Sequence, residues 1–140
     1  KEFYQAKVLV TQPNFDAAIL SSPEIAKIIP ALELADSDKV EVGDLIAVIG
    51  APEGFHDTAT VGRISNIHQS LGEQAPSPAW TDIIFIDADI AEGSSGGMVL
   101  DMNGRVVGII MGVTGQHADV GIGENSVCPS NKIGKLLSDL

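Results

Sequence analysis

The sequence predicts an all-β fold with one C-terminal α-helix, and three observations carry that expectation. Apolar, β-branched runs recur at roughly 8–15-residue spacing with turn residues between them. Asn103-Gly104 sits between two such runs, Met98 to Asp101 and Arg105 to Met111, and Asn-Gly in that setting is the strongest short-range signal for a hairpin. Clear helical periodicity is confined to the end, where Ile133, Leu136, Leu137 and Leu140 form one stripe over Asn131 to Leu140. A chain of 140 residues can bury a core, and 15 glycines and 7 prolines suit strands joined by turns.

Taken in order, Ala6 to Thr11 reads as a strand from its β-branched content. Pro13-Asn14 breaks it, and Phe15 to Leu20 is a second short apolar run with an acid, Asp16, near its start. Ser22 suits the N-cap of a short helical turn, with Pro23 at the first helical position and Pro30 as its stop. Ala31 to Leu34 reads as a strand. Ala35-Asp36-Ser37-Asp38-Lys39 is polar; the rest of an EF-hand loop is missing around its acids, so it reads as a solvated link. Leu45 to Gly50 is a buried strand, Ala51 to His56 a turn, and Thr58 to Ile67 a strand in which Gly62 marks a bulge or a bend. Gln69 to Ala79 is a loop, and Trp80 precedes a strand from Ile83 to Ile90. Beyond the Asn103-Gly104 hairpin, Val113 to Val120 is a loop and Ile122 to Val127 a strand. Ser130 is placed to cap the final helix.

Eight Lys and Arg face 19 Asp and Glu, a formal charge of −11. That balance argues against a nucleic-acid partner, whose phosphates need a basic face, and against an anionic membrane surface; its plain meaning is solubility. No apolar run approaches the ~20 residues of a membrane span, so no membrane insertion is expected. Cys128 is the single cysteine, which forbids an intrachain disulfide and does not locate the protein. No paired His or Cys spacing and no phosphate loop is present, so neither a metal nor another cofactor is expected.

The chemistry concentrates in Glu92-Gly93-Ser94-Ser95-Gly96-Gly97, between apolar runs on both sides. Glycines on either side of Ser95 allow a tight turn with positive φ and leave the hydroxyl uncrowded. Successive N–H groups of such a turn can converge on an oxyanion. A nucleophile beside an oxyanion hole is half of an acyl-transfer site. Taken alone, the same residues read as a plain Gly-Ser loop; the flanks reverse that.

The flanks are Thr81-Asp82-Ile83-Ile84-Phe85-Ile86-Asp87-Ala88-Asp89-Ile90 before the turn, and Met98-Val99-Leu100-Asp101-Met102-Asn103-Gly104-Arg105-Val106-Val107-Gly108-Ile109 after it. With Val42-Gly43-Asp44, Ala47 to Gly54, Thr60 to Ser65 and Cys128-Pro129-Ser130-Asn131, they resemble the HtrA family of trypsin-like serine proteases from about Lys7 to the end. The resemblance implies a double β-barrel whose first barrel is incomplete here. Residues 1–36 would be its remnant and residues 37–140 the second barrel with the C-terminal helix. It implies Ser95 as nucleophile, the N–H groups of Gly93 and Ser95 as oxyanion hole, and Asp16, in Asp16-Ala17-Ala18-Ile19-Leu20, as the acid of the triad. It implies a polypeptide substrate and a periplasmic or secreted setting.

The triad base is missing. The family order is His, Asp, Ser, and no histidine precedes Asp16; His56, His68 and His117 all follow it and read as surface residues. The resemblance implies that the His-bearing first third lies outside this sequence, leaving open strand edges for that segment or another copy of the chain to cover. By itself the segment is expected to be close to inactive. The rival reading is a non-catalytic, protease-like module that binds peptides or partners. Ser94 stands where the family has Asn or Asp, and where trypsin uses an Asp to pair with a new N-terminus. Asp89, six residues before Ser95, falls at the offset that sets trypsin's side-chain pocket, where an acid favours Lys or Arg. The competing reading is strand alternation, with Asp87 and Asp89 on one solvated face.

Overall fold

A strand whose residues are all apolar must be covered on both faces, and Ile83–Ile86 is that strand: all four residues are buried. The computed structural model describes residues 3–54, 58–70, 81–113 and 125–140. Its elements are β1 (Lys7–Gln12), β2 (Ala17–Ser21), α1 (Ile25–Ile28), β3 (Leu45–Gly50), β4 (Thr58–Gln69), β5 (Ile83–Ile86), β6 (Met98–Asp101), β7 (Val106–Val113), β8 (Asn125–Pro129) and α2 (Ser130–Ser138). Strands β3 to β8 close a barrel in the order β3-β4-β5-β8-β7-β6, while β1 and β2 form a separate two-stranded hairpin. Every strand pairing is antiparallel. The fold is thus all-β with a C-terminal helix, one closed barrel and one incomplete sheet.

Side-chain alternation sorts β5 between two cores. Ile84 and Ile86 point into the barrel with Ile46, Val48, Val99 and Val127. Ile83 and Phe85 point outward into a second cluster with Met111, Cys128 and Ile133. The hairpin covers that outer cluster with Phe15, Ala17 and Ile19, and α2 supplies Ile133 from its buried face.

Several sequence expectations shift. The strand expected over Ile83 to Ile90 stops at Ile86; at Asp87 the side-chain carboxylate accepts the Arg63 N–H at 2.5 Å, while the Asp87 N–H still donates to the Arg63 carbonyl at 3.2 Å. Gly62 lies in unbroken register with Ile46 rather than at a bulge; a Cβ there would stand 2.5 Å from the Ala88 backbone nitrogen, so the glycine admits a close approach. Ala31 to Leu34 is not a strand; Leu34 makes a single parallel bridge to Val106, and the chain then turns at Ser37–Lys39. Ser22 does not cap α1: Glu24 holds that position without a side-chain bond, and the buried Ser22 hydroxyl has no partner among the described residues.

Ser130 does not cap α2 either, since Pro129 is the N-cap. Instead the buried Ser130 hydroxyl donates to the Ala35 carbonyl at 2.7 Å. The open amide of the first helical turn is satisfied from across the fold, with Asn131 N–H donating to Ser37 Oγ at 3.1 Å and Ser37 N–H returning a bond to Asn131 Oδ1 at 3.3 Å. Asn131 Nδ2 also donates to Asp36 at 2.9 Å. The expected polar link is therefore clamped to the helix. That Asn131 amide, with Lys39 second, holds the Asp36 carboxyl below the usual carboxylate range.

Candidate active site

Beyond Ile86 the chain leaves the barrel wall and returns to it as β6 at Met98. Short bonds fix the excursion. Thr60 Oγ1 donates to the Asp89 carbonyl at 2.8 Å, and the Glu53 N–H donates to the Glu92 carbonyl at 2.7 Å. Ser94 N–H donates to Ala91 O at 3.0 Å and Gly97 N–H to Ser94 O at 2.9 Å, which folds the turn on itself. Gly96 N–H and Ile110 O, with Ile110 N–H and Gly97 O, splice the turn to β7 at 2.8 Å each. Gly93 has φ +93°, and a Cβ there would meet Ala51 O and Glu53 N at 3.1 Å, so only glycine fits without strain.

This frame buries Ser94, at 3% exposure, and leaves Ser95 exposed. Ser95 Oγ donates to the Met111 carbonyl at 3.1 Å. Met111 lies where the β7–β8 register slips between Ile110 and Gly112. Among the described residues the N–H groups of Gly93 and Ser95 have no acceptor. An exposed serine whose own amide and that of Gly93 are uncommitted carries the groups needed to attack a carbonyl and hold the resulting oxyanion. β6 pairs with β7 only as far as Ile109, so beyond Ile110 the edge of β7 that faces β6 has no strand beside it among the described residues, while β8 continues along the other edge.

Asp16 ends the turn between β1 and β2, with φ 50° and ψ 46°, a conformation that Asp tolerates better than most residues. Its side chain is exposed. Its neighbours Phe15 and Ala17 insert into the outer cluster that contains Met111, whose carbonyl holds the Ser95 hydroxyl. The same cluster therefore anchors both residues, though no hydrogen bond joins them among the described residues. Asp89 and Asp87 are exposed while Ala88 between them is buried, so the expected alternation continues past the end of β5. Asp89 lines a small pocket with Thr60, Ile90, Ala91, Gly50 and Ser94; Ser95 is not among its walls.

Of the three histidines, His56 and His117 lie outside the described residues. His68 Nδ1 is 2.8 Å from Asp82 Oδ1, and both side chains are half exposed. Burial pushes the Cys128 thiol up to about 11, with Lys132 opposing the rise and Asp16 and Asp82 adding to it. Among the described residues no group of three or more His, Cys, Asp or Glu side chains is placed to hold a metal ion. Sequence reasoning missed the Met111 carbonyl and the side chains that tie β8 to the site: Asn125 Nδ2 donates to Ala88 O at 2.6 Å and Ser126 Oγ to Gly112 O at 2.9 Å. Two polar residues in a fully buried strand were the available signal.

The chain resembles known proteins in sequence and in fold. The chain is 38% identical over 105 residues to a probable periplasmic serine endoprotease, DegP-like, of Pseudomonas putida strain W619, covering 75% of this chain and 21% of that protein. It is 33% identical over 139 residues to a protein of the same description in Chlamydia trachomatis, covering 97% of this chain and 27% of that one. It thus spans between a fifth and a third of these relatives. Among solved structures, the HtrA-type protease AlgW with a decapeptide superposes with TM-score 0.81 at 28% identity, over 96% of this chain and 40% of that one. The active form of the Rv3671c protease from M. tuberculosis gives 0.78 at 29% identity, over 96% and 58%. The profile of the trypsin-like peptidase domain family matches residues 1–109, and on that match the chain belongs to the trypsin-like peptidase domain family.

Proposed function

We propose that this chain is the nucleophile-bearing part of an HtrA-type serine endopeptidase acting on polypeptides outside the cytoplasm. The observation that carries the reading is the exposed residue Ser95, with its own N–H and that of Gly93 uncommitted among the described residues. In the proposed mechanism Ser95 Oγ attacks the scissile carbonyl while a histidine from the remainder of the protein takes its proton and passes it to the leaving amine. Asp16 orients that histidine and stabilises its charged form. The Gly93 and Ser95 amides hold the oxyanion, and water then releases the acyl group from Ser95. The open β7 edge beyond Ile110 supports an extended peptide substrate, bound by strand addition beside Ser95. The relatives named periplasmic support the compartment.

In this reading residues 1–36 belong to the first barrel and 37–140 to the second. The hairpin's outer edges and an apolar groove walled by Leu9, Leu20, Ile25, Ile29, Leu137 and Leu140 receive the rest of the first barrel. Leu20, Ile29 and Leu140 are 60%, 61% and 60% exposed, which favours an apolar cover. Asp89 is assigned to selection of basic substrate side chains, on its offset from Ser95 and its place in the wall of the small pocket; its exposure fits the competing solvated-strand reading equally well. Cleavage preferences for Val, Ala or Leu that persist in Asp89→Ala would refute that role.

The test of the main reading is a fluorophosphonate probe on the full-length protein. Labelling is expected in the wild type and absent in Ser95→Ala; labelling that survives the substitution removes Ser95 from the mechanism. The 140-residue chain alone, with no base supplied, is expected to hydrolyse unfolded casein at no more than ~10³–10⁴-fold over water.

A further inference from the structure

We propose that Lys132 is a positioning residue for the triad acid, acting on Asp16 through the ring of Phe15; the inference rests on the reading of Asp16 given above. Lys132 stands in the first turn of α2, and its ammonium makes two contacts away from the helix. Nζ donates to the Thr81 carbonyl at the entry to β5, and it lies 5.7 Å from the centroid of the Phe15 ring. A hydrogen bond from one of its three protons leaves the remaining positive edge free to face the ring.

What that contact holds matters because of where Phe15 is. Among the described residues the hairpin packs on the outer cluster through Phe15, Ala17 and Ile19. Phe15 closes the short turn Pro13–Phe15, and Asp16 follows directly with φ 50° and ψ 46°. Releasing Phe15 from the cluster frees the turn on which Asp16 sits, and the Asp16 carboxylate has no hydrogen-bond partner of its own among the described residues to hold it. Lys132 joins three segments at this point: the helix, the approach to β5 and the acid-bearing turn. Its charge also acts on the Cys128 thiol together with those of Asp16 and Asp82, which places all three ionisable groups around one small region.

A group that aims the triad acid affects the chemical step more than substrate binding, because the acid acts on the base and does not touch the peptide. In the full-length protein, Lys132→Met keeps a long apolar stem and removes both contacts. The expected result is a fall in kcat of about tenfold with KM unchanged within about twofold. Lys132→Arg keeps a donor and a cation for the ring, and restores kcat to within about twofold of wild type. Phe15→Leu keeps an apolar anchor and loses the ring face, so it reproduces the Lys132→Met defect, and the double variant shows no further fall. Asp16→Asn measured alongside separates the two claims. An Asp16→Asn protein with wild-type activity overturns the reading of Asp16 and this inference with it. Wild-type kcat in Lys132→Met beside an inactive Asp16→Asn overturns the inference alone. So does a Lys132→Met defect that Lys132→Arg fails to repair, or a loss that follows the unfolded fraction in thermal melts.

Discussion

Two glycine-to-alanine substitutions, Gly97→Ala and Gly134→Ala, have opposite expected signs, and the geometry sets both. At Gly97 an added Cβ would lie 2.6 Å from the Ile49 carbonyl oxygen, 2.8 Å from the Ser94 carbonyl oxygen and 3.3 Å from the Gly50 Cα. All three are backbone atoms, so no side chain can rotate away; the end of β3 or the Ser95 turn must move. Overpacking of this kind costs about 1–3 kcal/mol, offset by roughly 0.4–1 kcal/mol from the reduced freedom of the unfolded chain. The net loss is about 1–2 kcal/mol, or a Tm lower by ~4–8 °C for a domain of this size. At Gly134, inside α2, the added Cβ meets only the Leu34 Cδ1 at 3.7 Å, an ordinary contact. Alanine there gains about 0.8–1 kcal/mol of helix propensity, for a Tm higher by ~3–4 °C. Thermal melts followed by circular dichroism, with urea midpoints at constant m, read both. A Gly97→Ala chain that melts at or above the parent, or a Gly134→Ala chain that melts below it, refutes the packing argument.

Further expectations follow from other sites. Ser37→Ala strands the Asn131 N–H and Asn131→Ala strands the Ser37 N–H, so each should cost about 1–2 kcal/mol and the double variant should approach their sum; urea titration of all three measures it. Burial works against ionised Asp101, but the backbone N–H and guanidinium of Arg105 outweigh it and hold the carboxyl below its ordinary 3.8. A carboxyl depressed in the folded state stabilises fully above its unfolded value and loses that contribution as pH falls through the folded one. Asp101→Asn should therefore flatten the stability difference between pH 6 and pH 3. Cys128, at 2% exposure and with its thiol raised to about 11, should react with a thiol reagent at neutral pH only at the rate of unfolding; fast stoichiometric labelling of the native chain would contradict that. Asp16→Asn in the full-length protein should lower kcat by about 10⁴-fold with little change in Tm, as loss of the orienting acid does.

The parts of the fold that rest on local pattern were legible in the sequence. Leu45–Gly50 matches its strand residue for residue, and the turn at Asn103-Gly104 joins β6 to β7 with Gly104 at φ +78°. The misreadings have long-range causes. β5 ends early at Asp87, where the side chain meets Arg63 on another strand. Ser130 looked like a cap but found Ala35, distant in sequence, while the actual cap of the next amide came from Ser37. In the candidate site, Ser95 and Gly93 could be singled out because the flanks of their turn carry a family resemblance; the glycine spacing alone reads as a plain loop. The Met111 carbonyl could not, because every residue carries one and only the fold selects which. The contact between Lys132 and Phe15 was hidden for the same reason.

The division of β5 between two cores separates the molecule's opening motions. Its inward residues are sealed by the closed barrel, and its outward residues are sealed by the hairpin and α2. Among the described residues no strand pairing joins the hairpin to the barrel, so its lifting would break no hydrogen bond of the described barrel ladder. Amide exchange should then fall into two classes, a slow one for β3 to β8 and a fast one for β1 and β2, with the acid-bearing turn in the fast class. In those terms the serine is held on the long-lived part of the structure and the aspartate on the part that comes and goes. Whatever steadies the hairpin sets the fraction of time in which both are present together.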